Sequence, residues 1–270
     1  MSNALPTLAD FGKRLPIGYV DEAGVRHDKF ELRDWDWDLE ERIGAALEGA
    51  EGADAPFGRY ISGIMSEAVK SVGTIDLDAL KPAQRLGLLS RMYYSDMLYM
   101  YVWVRIEGLG HSLKLEPFKC KKCKRMIDFV GDLRQMEVQA VEGDPTKEIV
   151  LEHGLTYADK PRKKVKVATL RWSFFEAPEF EQAMRNPATM YLLTLQGGVV
   201  EVDGAPKPAY LTREHVKTMK RPEIVRLVRE INNIGGGPVM SIEGACPHCK
   251  TGFEESIDWS YADFFGRSVP

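Results

Sequence analysis

Four cysteines occur in the 270 residues, and they fall into two pairs: Cys120 and Cys123 in "FKCKKCKRMIDF", and Cys246 and Cys249 in "GACPHCKTGF". Two thiolates two residues apart supply half of a tetrahedral zinc site. Each pair sits between strand-like runs, the layout of a zinc ribbon. The separation is what constrains the fold: 122 residues lie between Cys123 and Cys246, where a compact ribbon has about 15–20. Closing so long a loop costs about 4 kcal/mol plus a constant. A structural zinc contributes about 10–16 kcal/mol in small peptides. One shared four-cysteine site, with folded chain between its halves, is the expectation.

Other readings of the cysteines stay open at this point: buried free thiols, a redox pair, or a zinc shared between chains. "CPHC" matches a strongly oxidising thioredoxin-like motif. That motif opens a helix near the start of a βαβ fold, and only 21 residues follow Cys249. Four thiolates close a metal's coordination sphere, and neither HExxH nor HxE with PCxxC is present. The metal is therefore read as structural, and no enzyme is expected. His248, inside the second knuckle, is read as a turn residue.

A hydrophobic content of 44% allows a sizeable core. The formal net charge of −4 argues against whole-chain affinity for nucleic acid but leaves local basic patches open. Two such runs occur, "KCKKCKR" and "KPRKKVK", each with five Lys or Arg in seven residues. The first can compensate the formal −2 of a zinc tetrathiolate, and the second can be a solvated strand face. Nucleic-acid binding by a zinc ribbon is the alternative function. The N-terminus has no signal-like apolar run, and "MLYMYVWV" is too short to span a bilayer. A soluble, cytosolic protein with no membrane partner is expected.

The pattern of elements is α+β. "LPIGYVDEAGVRHDKFELR" reads as two strands around a turn at Asp21 to Gly24. "DWDWDLEERIGAALEGA" reads as a helix with acids in its first turn. Helices are expected over Tyr60 to Val72 and Pro82 to Glu107, with Ser95 and Asp96 as cap and first-turn residues. "SLKLEPF" reads as a strand into the first cysteine pair. "KKVKVATLRW" reads as a strand through Trp172, and "EAPEFEQAM" as a helix. "VVEVDGAPK" reads as a hairpin turning at Asp203-Gly204. "TREHVKTMKRPEIVRLVREINNIGGG" reads as helix capped by Thr212, restarted or broken at Pro222 and stopped by Gly235 to Gly237. "PVMSIEGA" is a strand into the second pair.

The order therefore recurs. "FELRDWDWD" and "ATLRWSFFE" each place Leu-Arg and aromatics before an acidic helix. "CKKCKRMIDFVGDL" and "CPHCKTGFEESIDW" each run knuckle, strand, then Asp and an apolar residue (Asp132-Leu133, Asp258-Trp259). Two pseudo-repeated strand/helix halves, residues 1–133 and 134–270, joined by a zinc-ribbon-like site, are the expected architecture.

The opening "LPIGYVDEAGVRHDKFELRDWDWDLEE" and the ending "HVKTMKRPEIVRLVREINNIGGGPVMSIEGACPHCKTGFEESIDWSYADFFG" resemble the baseplate hub assembly proteins of contractile-tailed, T-even-like bacteriophages and related contractile injection systems. The resemblance implies a structural or assembly protein of the tail baseplate, with other baseplate or tail proteins as partners. It implies a place in the host cytoplasm during assembly, or in the virion. It carries over Cys120, Cys123, Cys246 and Cys249 as zinc ligands. Phe264 and Phe265 match the family's terminal aromatic pair, read as a partner-binding anchor.

Overall fold

The computed structural model of the chain describes residues 5–50, 57–203, 205–206 and 211–257. A short helix α1 (Leu8–Phe11) leads into β1 (Arg14–Val20) and β2 (Arg26–Leu32), which pair antiparallel. Asp21 builds the turn between them, accepting the N–H groups of Ala23 and Val25 at 2.9 and 2.8 Å. Helices α2 (Trp37–Ala50) and α3 (Phe57–Ala68) follow, then strands β3 (Val69–Val72) and β4 (Ile75–Asp76), then helices α4 (Pro82–Arg91) and α5 (Tyr94–Leu109). The strands form one sheet in the order β1-β2-β3-β4. The helix expected over Tyr60 to Val72 thus stops at Ala68. Val69 and Val72 are fully buried and pair with Leu32 and Phe30 of β2. β-Branched side chains beside an open strand edge favour the sheet over further helix. Ser95 is not a cap: Tyr93 holds that position and Ser95 is buried.

Short strands β5 (Ser112–Lys114), β6 (Phe118–Lys119), β7 (Met126–Ile127), β8 (Val130–Asp132) and β9 (Val138–Gln139) come next. A long hairpin, β10 (Thr146–Tyr157) and β11 (Lys160–Ala168), opens the second half. After it come α6 (Glu179–Met184), α7 (Pro187–Gly198), β12 (Val199–Val202), β13 (Ala205–Pro206), α8 (Arg213–Lys217) and α9 (Arg221–Ile234). The chain then runs through β14 (Gly237–Pro238), β15 (Ser241–Ala245) and β16 (Gly252–Ser256). The second sheet has the order β10-β11-β12-β13. Thr212 caps α8 through its side chain, and Pro222 stands in the first turn of α9, where its missing N–H costs nothing. The strand expected through Trp172 ends at Ala168, and Trp172 begins a 3-10 turn. Gly204, of the expected Asp203-Gly204 turn, and Asp258-Trp259 lie outside the described residues.

Each sheet meets a later helix through the same device. The ladder of β1 is irregular between Arg14 and Tyr19. There Asp96, the third residue of α5, accepts the N–H groups of Ile17 and Gly18 at 2.8 and 3.0 Å. The ladder of β10 is irregular between Val150 and Leu155. There Glu223, the third residue of α9, accepts the N–H of His153 at 2.9 Å. Gly18 and Gly154 sit in these bulges at φ of +93° and +81°, the left-handed region that glycine enters without strain. Both acids are buried. Asp96 satisfies two strand N–H groups and Glu223 one at the positions where the ladder is interrupted.

One apolar cluster, from Leu8 to Ile257, takes residues from both halves. Trp172 is fully buried, stacks on Tyr94 and Phe175, and donates its indole N–H to Ser62 at 2.8 Å. The hydroxyls of Ser62 and Ser90 donate to the Glu176 carboxylate. Helices α3 and α4 are thereby tied to the segment that follows β11. No helix among the described residues is long and apolar enough to cross a membrane.

Burial raises the Asp96 carboxyl from 3.8 to about 7, against the pull of its two N–H donors. The native state therefore holds this proton more tightly than the unfolded chain. The stabilisation it supplies is full below pH 3.8 and disappears as the pH rises through about 7. Asp96→Asn removes the titrating group, keeps one acceptor oxygen for the two N–H donors, and is expected to lose this dependence. Relative to that variant, the wild type should lose up to about 4 kcal/mol between pH 4 and pH 8, read from denaturant midpoints. Parallel pH profiles for the two proteins would refute the assignment.

Candidate metal centre

The two cysteine pairs occupy the tips of two hairpins. Cys120 and Cys123 lie between β6 and β7, where Phe118 pairs with Ile127 and Lys119 with Met126. Cys246 and Cys249 lie between β15 and β16, paired from Ser241 with Ser256 to Ala245 with Gly252. The tips have the same backbone bonding. Cys120 donates its N–H to the Arg125 carbonyl and accepts that of Lys124, at 2.9 and 3.0 Å. Cys246 donates to Thr251 and accepts from Lys250, both at 2.9 Å. Lys124 and Lys250 take the left-handed conformation, at φ of +63° and +58°. An L-residue there costs about 1–3 kcal/mol, and the two tips share this conformation with the hairpin turns at Ala158-Asp159 and Asp203.

The two tips bring four sulfur atoms together. The four Sγ atoms lie within 4.8 Å of one another. Cys120 stands 3.7 Å from Cys249, and Cys123 stands 3.7 Å from Cys246. A tetrahedral zinc with bonds of about 2.3 Å needs sulfurs about 3.8 Å apart, so the donor set and spacing fit such an ion. The four residues expected from the sequence are thus brought together from one chain. The cluster is packed by Ile127 and by Phe118, Phe129 and Phe253, whose rings meet edge-on at 4.9 and 5.0 Å.

The sulfurs differ in acidity for local reasons. Backbone N–H groups of Cys123 and Lys122 point at Cys120 and lower its thiol. Cys249 is lowered to about 6, first by the Thr251 hydroxyl and then by the Thr251 N–H. At Cys123 the Arg125 N–H pulls downward, but burial and the neighbouring sulfurs outweigh it and push the thiol up to about 11. Cys120 and Cys249 are thus drawn toward ionisation, and Cys123 toward its protonated form unless a cation compensates the charge. Thr251, which orients Cys249, was not singled out from the sequence. Its signal is a hydroxyl two residues beyond the second cysteine of a knuckle.

Other features resolve differently. "CPHC" joins β15 to β16 and opens no helix, so the thioredoxin-like reading lacks its structural context. His248 is exposed in the turn and is no part of the sulfur cluster. Lys119, Lys121, Lys122, Lys124 and Arg125 are exposed around the first knuckle and form no salt bridge among the described residues. The second basic run is largely paired: Lys164 with Glu148, Lys166 with Asp144, and Arg162 with Asp203. Phe264 and Phe265 lie outside the described residues.

Thr251→Val keeps the shape of the side chain and removes the hydroxyl from Cys249. Metal affinity is expected to fall roughly tenfold, in a competition titration against a chromophoric chelator, with the fold intact by circular dichroism. An unchanged affinity would mean that Thr251 only shapes the turn. Comparison of the chain with family models, with curated proteins and with solved structures yields no match.

Proposed function

We propose that this chain is a non-enzymatic structural or assembly protein of a phage-like contractile tail baseplate, clamped by one structural zinc. On this reading it acts in the host cytoplasm during assembly or stays in the tail. Its partners are other baseplate or tail proteins. The observation that carries the proposal is the meeting of four sulfurs, 122 residues apart in two pairs, at tetrahedral spacing. Four thiolates leave no coordination position for a substrate, so the metal's work is mechanical. The baseplate itself rests on the sequence resemblance at both ends of the chain.

The same reading includes an internal duplication with a zinc-ribbon-like joint. Its support is the repeated order of hairpin, two helices, hairpin and two helices, the matched sheet orders, the paired acid-to-bulge contacts and the identical bonding of the knuckle tips. A zinc-ribbon nucleic-acid-binding protein is the second reading, favoured by the exposed cations around the first knuckle, which form no salt bridge among the described residues.

Native mass spectrometry of protein purified without chelator is expected to give one zinc per monomer, and Cys246→Ser to abolish it. Binding to the hub and wedge proteins of a contractile tail should survive roughly 0.5 M salt, well beyond the range in which exposed charges interact. Binding to generic duplex DNA that weakens steeply with salt, with no tail-protein binding, would replace the baseplate reading with the nucleic-acid one. Deleting Phe264 to Pro270 should leave a folded zinc protein that fails to join the hub. Normal incorporation of that truncation would remove these aromatics from the interface.

A further inference from the structure

Two exposed surfaces of opposite character lie on separate parts of the fold. The first is the start of α2. Trp37 is 70% exposed, more than any other large hydrophobic among the described residues. Its indole N–H donates to Glu41 at 2.8 Å. Asp34, Asp36, Asp38, Glu40 and Glu41 are exposed around it. The helix accounts for some of these acids: Asp36 accepts the Leu39 N–H at 2.8 Å, and the dipole favours Asp38 and Glu40. It does not account for an indole left in water, since tryptophan has the largest apolar area to bury and is enriched at the centre of interfaces.

The second surface is a groove of about 690 Å³ between α7, α8 and α9. Leu192, Met219 and Ile224 line its floor, and Arg213, Lys217 and Arg221 line its rim. Each rim cation is exposed, and Lys217 alone has an ion-pair partner among the described residues, Glu214. The groove offers an apolar slot within a cationic border. The α2 start offers an aromatic knob within an anionic one. Helix α2 packs on α3, whereas α7 packs on α6 and α9. The exposure of Trp37 shows that a chain does not fill its groove with its own indole.

We propose that Trp37 of one copy enters the α7–α9 groove of a second copy, with the carboxylates around it meeting Arg213, Lys217 and Arg221. The two patches differ, so the contact is head-to-tail. Each pair keeps one free knob and one free groove, and the assembly closes into a ring or continues as a chain. The contact uses neither the cysteines nor the C-terminal aromatics, and it stands whatever the metal site or the baseplate reading turns out to be.

Sedimentation equilibrium of the full-length protein tests it. From about 1 to about 500 μM at low salt, the range in which a small contact with one aromatic anchor populates complexes, the mean mass should rise beyond the monomer. It should fall back as salt screens the rim. Trp37→Ala and Arg221→Glu should each weaken association at least about tenfold. Both changes are at exposed positions, and an acid at the first residue of α9 suits its dipole. Circular dichroism and thermal melting should therefore stay as in the wild type. The two variants mixed should form a one-to-one pair that grows no further, because one retains an intact groove and the other an intact knob. A wild type that stays monomeric over this range would overturn the proposal and assign the knob to a different protein. So would either variant associating like the wild type, or a mixture that forms no pair.

Discussion

Four sulfur atoms within 4.8 Å of one another place a hard condition on the rest of the molecule. As thiolates they repel each other, and as thiols they crowd four weak hydrogen-bonding groups into one spot. The backbone prepares for the ionised form by turning N–H groups of Cys123, Lys122, Arg125 and Thr251 toward sulfur. The tips thus present four sulfurs that could hold an ion, and both hairpins must approach at a fixed angle for a tetrahedron to close. Strand β8 beside β15, and the rings of Phe118 and Phe129 on Phe253, set that approach.

The metal does not have to hold the helices together. The apolar cluster already runs through both halves, and Trp172 with Glu176 ties α3 and α4 to the chain beyond β11. The cysteine end is different. Its sheets are two-stranded, β6 and β7 are two residues long each, and its buried cluster reduces to Cys120, Ile127 and Cys246. Isolated two-stranded ribbons are marginal in water. A bound ion would thus stabilise a local module on a core already packed across both halves. Metal loss would unfasten the two tips before it unfolded the domain. An ion held there would act as a local clamp rather than as a nucleus for folding.

Legibility in the sequence followed the strength of local signals. Both cysteine pairs, the first hairpin around Asp21, the α2 start and the Thr212 cap could be read because a few residues in fixed order dictate each of them. Helix α7 was not read, since "PATMYLLTLQGG" is apolar almost all round and shows no polar face. Strand β10 was not read because its bulge between Val150 and Leu155 breaks the alternation on which a strand is recognised. Helix α3 was carried four residues too far because the sheet edge that captures Val69 to Val72 belongs to a strand 37 residues earlier. At the metal site the ligands were legible and Thr251 was not, because its role depends on how the turn directs a hydroxyl at Cys249.

The two halves are most informative where they differ. Under the proposed duplication, "LRDWDW" and "LRWSFF" occupy matching places after the first hairpin of each half. In the second half the aromatics turn inward: Trp172 and Phe175 are buried and anchor the core. In the first half Trp37 points to water amid carboxylates. The acid-to-bulge contacts diverge less. Asp96 satisfies two N–H groups with two oxygens, while Glu223 reaches His153 with one oxygen and leaves the other without a partner among the described residues. On that reading, the elements that hold sheet to helix keep the same chemistry, and the segments that face outward do not. A repeated fold is free to change where packing does not constrain it, so the contrast between Trp172 and Trp37 separates the tryptophan that this fold requires from the one that it presents.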